Sequence, residues 1–181
     1  MSDDLLLRQS LDAVAALYDE VISMDNICPE CRAPVPAGGA CLDHFHTLLV
    51  LEATFPGAAG SILHFYAVAA YNPQHPDSIG LTAKALQSLR RNLADVLDGK
   101  LSLELLRRRV RRTADGPTRV RRRQGEPPVD WYRGPWKVNV VDVLTATAAS
   151  YPDLVEDWAR GVRGTLDAQH KRPDDDRPSV C

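Results

Sequence analysis

Apolar positions recur at steps of three and four along most of the chain, the period of a helix and not the alternation of a strand. Leu7, Leu11, Val14, Tyr18 and Val21 share one face and predict a helix over residues 4–23. Residues 41–55 return to that spacing, with Cys41, Phe45, Leu48 and Glu52 on one side. A turn follows at Pro56-Gly57-Ala58-Ala59-Gly60. Ser61 then has the chemistry of an N-cap for a helix running to about Asn72, because Pro73 disfavours helical backbone at the residue before it. His64, Val68, Tyr71 and His75 lie on one face of that segment.

Residues 80–98 read as a further helix, with Leu86, Leu89, Leu93 and Val96/Leu97 inward and Gly99 as its stop. Another begins at Ser102-Leu103-Glu104-Leu105 and runs into a series of arginines. Ala114 to Pro135 reads as irregular, and two helices are predicted over Val138 to about Ala149 and Pro152 to about His170. The Pro- and Asp-rich residues 171–181 read as a disordered tail. The fold class is therefore all-α: an N-terminal helix in residues 1–25 and a compact helical bundle over residues 26–170. A Cys-x2-Cys knuckle packs on a central helical hairpin in that bundle.

Hydrophobic content of 44% and charged content of 25% over 181 residues suit one folded domain with tails. Thr47 to Tyr71 is apolar enough to suggest a membrane span, but Glu52, Pro56-Gly57 and His64 interrupt it. A buried hairpin is the expectation, with no membrane contact. Met1-Ser2-Asp3-Asp4 is acidic, unlike the opening of a secretory signal, so a cytoplasmic protein with reduced cysteines is expected.

Those cysteines carry the clearest chemistry. Cys28-Pro29-Glu30-Cys31 has the spacing at which one tight turn aims two thiolates at one tetrahedral ion. In an antiparallel hairpin turning near residues 57–58, Cys41 lies opposite His75, and Glu52 lies opposite His64. Eleven residues of helix separate the two histidines by roughly 16 Å, so they cannot share an ion. The expected ligand set is Cys28, Cys31, Cys41 and His75, with His44, one turn from Cys41, as a rival fourth ligand. Thiolates favour zinc, and four protein ligands imply a structural site. Asp43 and His46 are expected to face solvent.

Glu52 and His64 have two readings. One is a hydrogen-bonded pair that satisfies two buried polar groups. The other is a general acid/base dyad in a pocket, or half of a second metal site. Tyr71 is either a core aromatic or a hydroxyl donor near the metal.

The net charge of −2 conceals an uneven distribution. Residues 1–106 carry 6 basic and 13 acidic side chains, residues 107–123 carry 9 and 1, and residues 124–181 carry 7 and 10. Arg107, Arg108, Arg109, Arg111, Arg112, Arg119, Arg121, Arg122 and Arg123 form the basic block. Arginine forks suit phosphate and carboxylate, so the block reads as a contact for a polyanion or protein partner, with Trp131, Tyr132 and Trp136 able to stack on bases. The plainer reading is a solvated helix end paired with the acidic remainder, with the tryptophans packing the last two helices.

Together these residues resemble a known family. Cys28-Pro29-x-Cys31, then Cys41, Phe45 and Glu52, then His64-x3-Val68-x2-Tyr71-x2-Gln74-His75-Pro76 resemble an uncharacterised family of small bacterial proteins, a domain of unknown function. Trp136-Lys137-Val138-Asn139-Val140-Val141-Asp142-Val143 is similar to its late helix. The resemblance covers roughly residues 26–165 and supports the site without implying a reaction. This chain departs from the family pattern at Arg32, where glycine is usual after the second cysteine, and that change is expected to alter the knuckle turn.

Two functions remain open from sequence. The first is a zinc-stabilised helical protein that binds a partner or polyanion. The second is a small enzyme with a pocket in the hairpin, using Glu52 and His64 and assisted by metal. A closed Cys3His site without a pocket favours the first. A cavity reaching Glu52, His64 and Tyr71 favours the second.

Overall fold

Helical periodicity becomes six helices in the computed structural model, which describes residues 27–35, 38–115 and 119–170. They are α1 (Cys41–Glu52), α2 (Gly57–Gln74), α3 (Ala83–Leu97), α4 (Leu103–Asp115), α5 (Val140–Leu144) and α6 (Tyr151–His170). The predicted N-terminal helix and the tail lie outside the described residues. Among the described residues there is no strand, only isolated bridges at Ile27–Pro34 and Leu81–Arg121.

The α1–α2 hairpin is the centre of the bundle. Cys41, His44, Phe45, Leu48 and Glu52 form the buried stripe of α1. The Asp43 carboxylate accepts the Ala40 N–H at 2.7 Å and starts the helix. The turn between α1 and α2 folds so closely on the start of α2 that a Cβ on Gly60 would sit 2.0 Å from the Phe55 carbonyl oxygen. Helix α6 covers α2 with Tyr151, Val155, Trp158, Ala159, Val162 and Leu166, all buried. Burial of these side chains is the main stabilising term, at roughly 1.5–3 kcal/mol for each large one.

The boundaries depart from expectation at both ends of α2. The helix starts at Gly57, not after Ser61, whose hydroxyl instead donates back to the Gly57 carbonyl at 3.0 Å. It also continues through Pro73 to Gln74. Tertiary bonds hold that last turn against its weak local preference. Trp131 Nε1 donates to the Pro73 carbonyl (3.1 Å), and Gln74 is clamped between Val138 O (2.7 Å) and Trp158 Nε1 (3.1 Å).

Helix α3 starts later than expected, at Ala83, where Thr82 Oγ1 accepts the Ala85 N–H. The segment expected to be helical from Val138 to Ala149 contains only the five residues of α5. Asn139 and Asp142 cap it reciprocally. Beyond Leu144, Thr147 and Ser150 bond each other's backbone groups and divert the chain into a turn. No helix among the described residues is long and apolar enough to cross a membrane.

Candidate metal centre

The knuckle is a tight loop closed by its own backbone. The Cys28 N–H donates to Ala33 O at 2.8 Å, and the Arg32 N–H donates to Cys28 O at 3.0 Å. The Ala33 N–H points at Cys31 Sγ at 3.4 Å. Arg32 sits at φ 67°, so the glycine-favoured turn is kept and a side chain is forced into it. The alteration expected from losing glycine therefore does not occur; the turn stays and is strained.

Two side chains fix this loop to the hairpin. Glu30 is 8% exposed, and its carboxylate accepts the N–H groups of Asp77 (2.8 Å) and Ser78 (3.2 Å) and the Ser78 hydroxyl. It thereby binds the backbone just beyond His75. His44 donates from Nε2 to the Pro34 carbonyl at 2.8 Å. The rival ligand is thus turned to anchoring the knuckle and does not join the cysteine cluster.

Cys28, Cys31, Cys41 and His75 converge. Their ligand atoms all lie within 4.8 Å of one another, and all four residues are buried. Cys31 Sγ and Cys41 Sγ are 3.5 Å apart, and His75 Nε2 is 3.2 Å from Cys41 Sγ. Bonds of about 2.0–2.3 Å to a tetrahedral ion place neighbouring ligand atoms about 3.3–3.8 Å apart, so separations that run from 3.2 Å to at most 4.8 Å bracket what one ion requires. The three cysteines are unbridged thiols. His75 Nδ1 donates to the Tyr71 carbonyl at 2.8 Å, which leaves Nε2 aimed at the thiols. Tyr71 stacks on the His75 ring at 3.9 Å, and Phe45 stacks on Tyr71 at 4.2 Å.

The cluster is electrostatically poised. Hydrogen bonds from the Cys31 and Cys41 thiols push the Cys28 thiol far below its ordinary range, against the cost of burial. Cys41 is pushed up by its bonds to Cys28 and Cys31 and by burial. Burial lowers the His75 pKa, but bonds to Cys28 and Cys31 outweigh it and raise it to about 10. Protons held this way are the ones a bound cation displaces. The four residues could therefore hold a metal ion.

Glu52 and His64 also meet as the hairpin register requires, with His64 Nδ1 donating to Glu52 Oε2 at 2.8 Å. The Tyr151 hydroxyl donates to Glu52 Oε1 at 2.7 Å. The hydrogen bond to Glu52 raises the His64 pKa, with burial opposing it. Tyr71 does not join this pair but belongs to the cysteine end. Burial and the Cys41 charge push its hydroxyl up.

The arginine block is dispersed. Arg107 bonds Ser61, Arg108 pairs with Glu104, Arg109 with Asp95, and Arg119 with Glu126. Arg121 donates to Ile79 O. Arg122 folds inward over Pro76 O, Asp77 O and the Asp77 carboxylate. Trp131 and Trp136 pack partly buried against the core, and Trp136 stands edge-on to Tyr132.

Sequence reasoning missed Glu30, Gln74 and Tyr151. Glu30 lies between the two knuckle cysteines and Gln74 precedes His75, so proximity to ligands was a signal for both, and Gln74 also stands in the family pattern. Tyr151 reaches Glu52 across 99 positions, which no spacing reveals.

No curated protein and no solved structure was found to match the chain. Residues 26–167 match a family of unknown function, DUF5946, and these residues span the knuckle, the hairpin and most of α6. With its four converging ligand atoms carried inside that matched region, the chain belongs to the DUF5946 family.

Proposed function

We propose that Cys28, Cys31, Cys41 and His75 bind one zinc ion that fastens the knuckle to the α1–α2 hairpin. The observation that carries this reading is the mutual approach of three thiols and an imidazole nitrogen within 4.8 Å, all buried. Three thiolates select a soft ion, and four protein ligands leave no position for substrate, so the ion's role is structural. Reduced thiols of this kind suit a cytoplasmic protein. On this reading the biological role is binding, with a protein or polyanion met through the exposed side of α4, where Arg108 and Arg112 are exposed.

Elemental analysis of protein purified without added metal tests the proposal. About one zinc per chain is expected, lost in both Cys41→Ser and His75→Ala. Well-folded protein without metal, or variants that retain it, would overturn the assignment.

A further inference from the structure

The far end of the hairpin faces a different kind of site. Helices α1, α2, α3 and α4 surround a cavity of about 1120 Å³ that reaches Glu52 and His64. Its walls are mostly aliphatic and aromatic, including Leu49, Phe55, Val68, Leu89, Leu103 and Leu106. Cavities of several hundred cubic ångströms lined this way, with a few convergent polar groups, are the usual form of small-molecule sites.

Among the polar groups that line it, the basic ones are His64, Arg107 and Arg111. Ser61 and His64 lie three residues apart on α2, so they are neighbours on one helical face. The Arg107 guanidinium donates to Ser61 Oγ at 2.6 Å, which holds it beside His64. Arg111, one turn along α4 from Arg107, also lines the cavity. Glu52, whose oxygens accept from His64 Nδ1 and the Tyr151 hydroxyl, balances the charge of a protonated His64, so the net positive charge at the cavity is that of Arg107 and Arg111. With Nδ1 so engaged, the protonated ring presents its Nε2–H to an anionic ligand. The His64 side chain is 56% exposed, whereas Glu52 is 6% exposed, so the imidazole and not the carboxylate is the group presented.

We infer that this cavity binds an amphipathic anion, an aliphatic body ending in a carboxylate or phosphate, with the head on Arg107, Arg111 and His64 and the body among the apolar walls. Arginine forks pair with such heads in two parallel bonds, and the apolar walls exclude water from the rest of the molecule. The inference is independent of the metal reading, since no residue of the cysteine cluster lines the cavity.

Isothermal titration of the intact 181-residue chain with dodecanoate, dodecyl phosphate and dodecanol tests it. Saturable one-to-one binding of at least one anion is expected, with the preference between the two identifying the head. Dodecanol should bind at least about tenfold more weakly, as expected for loss of a charge-assisted bond. Arg107→Ala and His64→Gln should each weaken the anion about tenfold, and Arg123→Ala, outside the cavity, should leave it unchanged. Circular dichroism confirms that each variant is folded. Equal binding of dodecanol, indifference to Arg107→Ala and His64→Gln, or no saturable binding would overturn the inference.

Discussion

His75 Nε2 lies 3.2 Å from Cys41 Sγ although 34 positions separate the two residues. Cys41 opens α1, and His75 follows the last residue of α2, so the contact closes the hairpin at its open end. If an ion sits there, its binding energy is folding energy. Stripping it with a strong chelator should lower the melting temperature. The loss is about 4 kcal/mol where the free ion had exceeded its dissociation constant a thousandfold. Cys28, Cys31 and Cys41 should then react with a thiol reagent in native protein, and differential scanning calorimetry with thiol counting checks both outcomes. An unchanged melt after complete stripping would remove the structural role.

Glu30 supports the site without being a ligand. Its carboxylate accepts two backbone N–H groups and one hydroxyl in a buried position. Glu30→Ala leaves those donors unsatisfied, at a cost of about 2–3 kcal/mol. Metal affinity should fall by about tenfold or more, as it does when groups that orient ligands are lost. Chemical denaturation and competition with a zinc-binding dye measure the two effects. A variant with wild-type stability and affinity would show that the knuckle is held by its thiols alone.

Arg32 carries local strain. At φ 67° a residue with a Cβ costs about 1–2 kcal/mol, which glycine avoids while losing more chain entropy on folding. Arg32→Gly should therefore stabilise the protein by about 0.5–1 kcal/mol, and Arg32→Val should destabilise it by more. Urea midpoints of the two variants should move in opposite directions; movement in the same direction would contradict the strain argument.

The pair of His64 and Glu52 makes a small pH-dependent contribution. Because the folded-state pKa of His64 is raised above 6.5 by Glu52, its stabilising effect is complete below pH 6.5. It is lost as pH rises through the raised value. Solvent reaches the half-exposed imidazole, which keeps the effect below about 1 kcal/mol. Titrating the His64 ring protons by NMR should give a pKa above 6.5 that returns toward 6.5 in Glu52→Gln. An unshifted His64 in the parent protein would show that the bond is absent in solution.

The hairpin was legible because helical spacing and one turn determine which residues face each other. Cys41 with His75 and Glu52 with His64 both follow from counting outward from residues 57–58. The ends of α2 were not legible, because Pro73 is retained in the helix by bonds from Trp131 and by the clamp on Gln74. These partners lie 58 to 84 positions away. His44 illustrates another limit. Its place one turn from Cys41 is correct, but the partner of its Nε2 is a carbonyl of the knuckle, and carbonyls leave no mark in a sequence. The cavity was out of reach for the same reason, since four separate helices make its walls.

The two helices between Cys41 and His75 set how the chain can change in length. One residue added within either helix turns everything beyond it by about 100° and advances it about 1.5 Å. Such an insertion would point Cys41 or His75 away from the other ligands. Insertions and deletions should therefore be confined to the few residues between Glu52 and Gly57, and even there Gly60 must keep its close approach to Phe55. The hairpin behaves as a ruler, with the cysteine cluster reading its length.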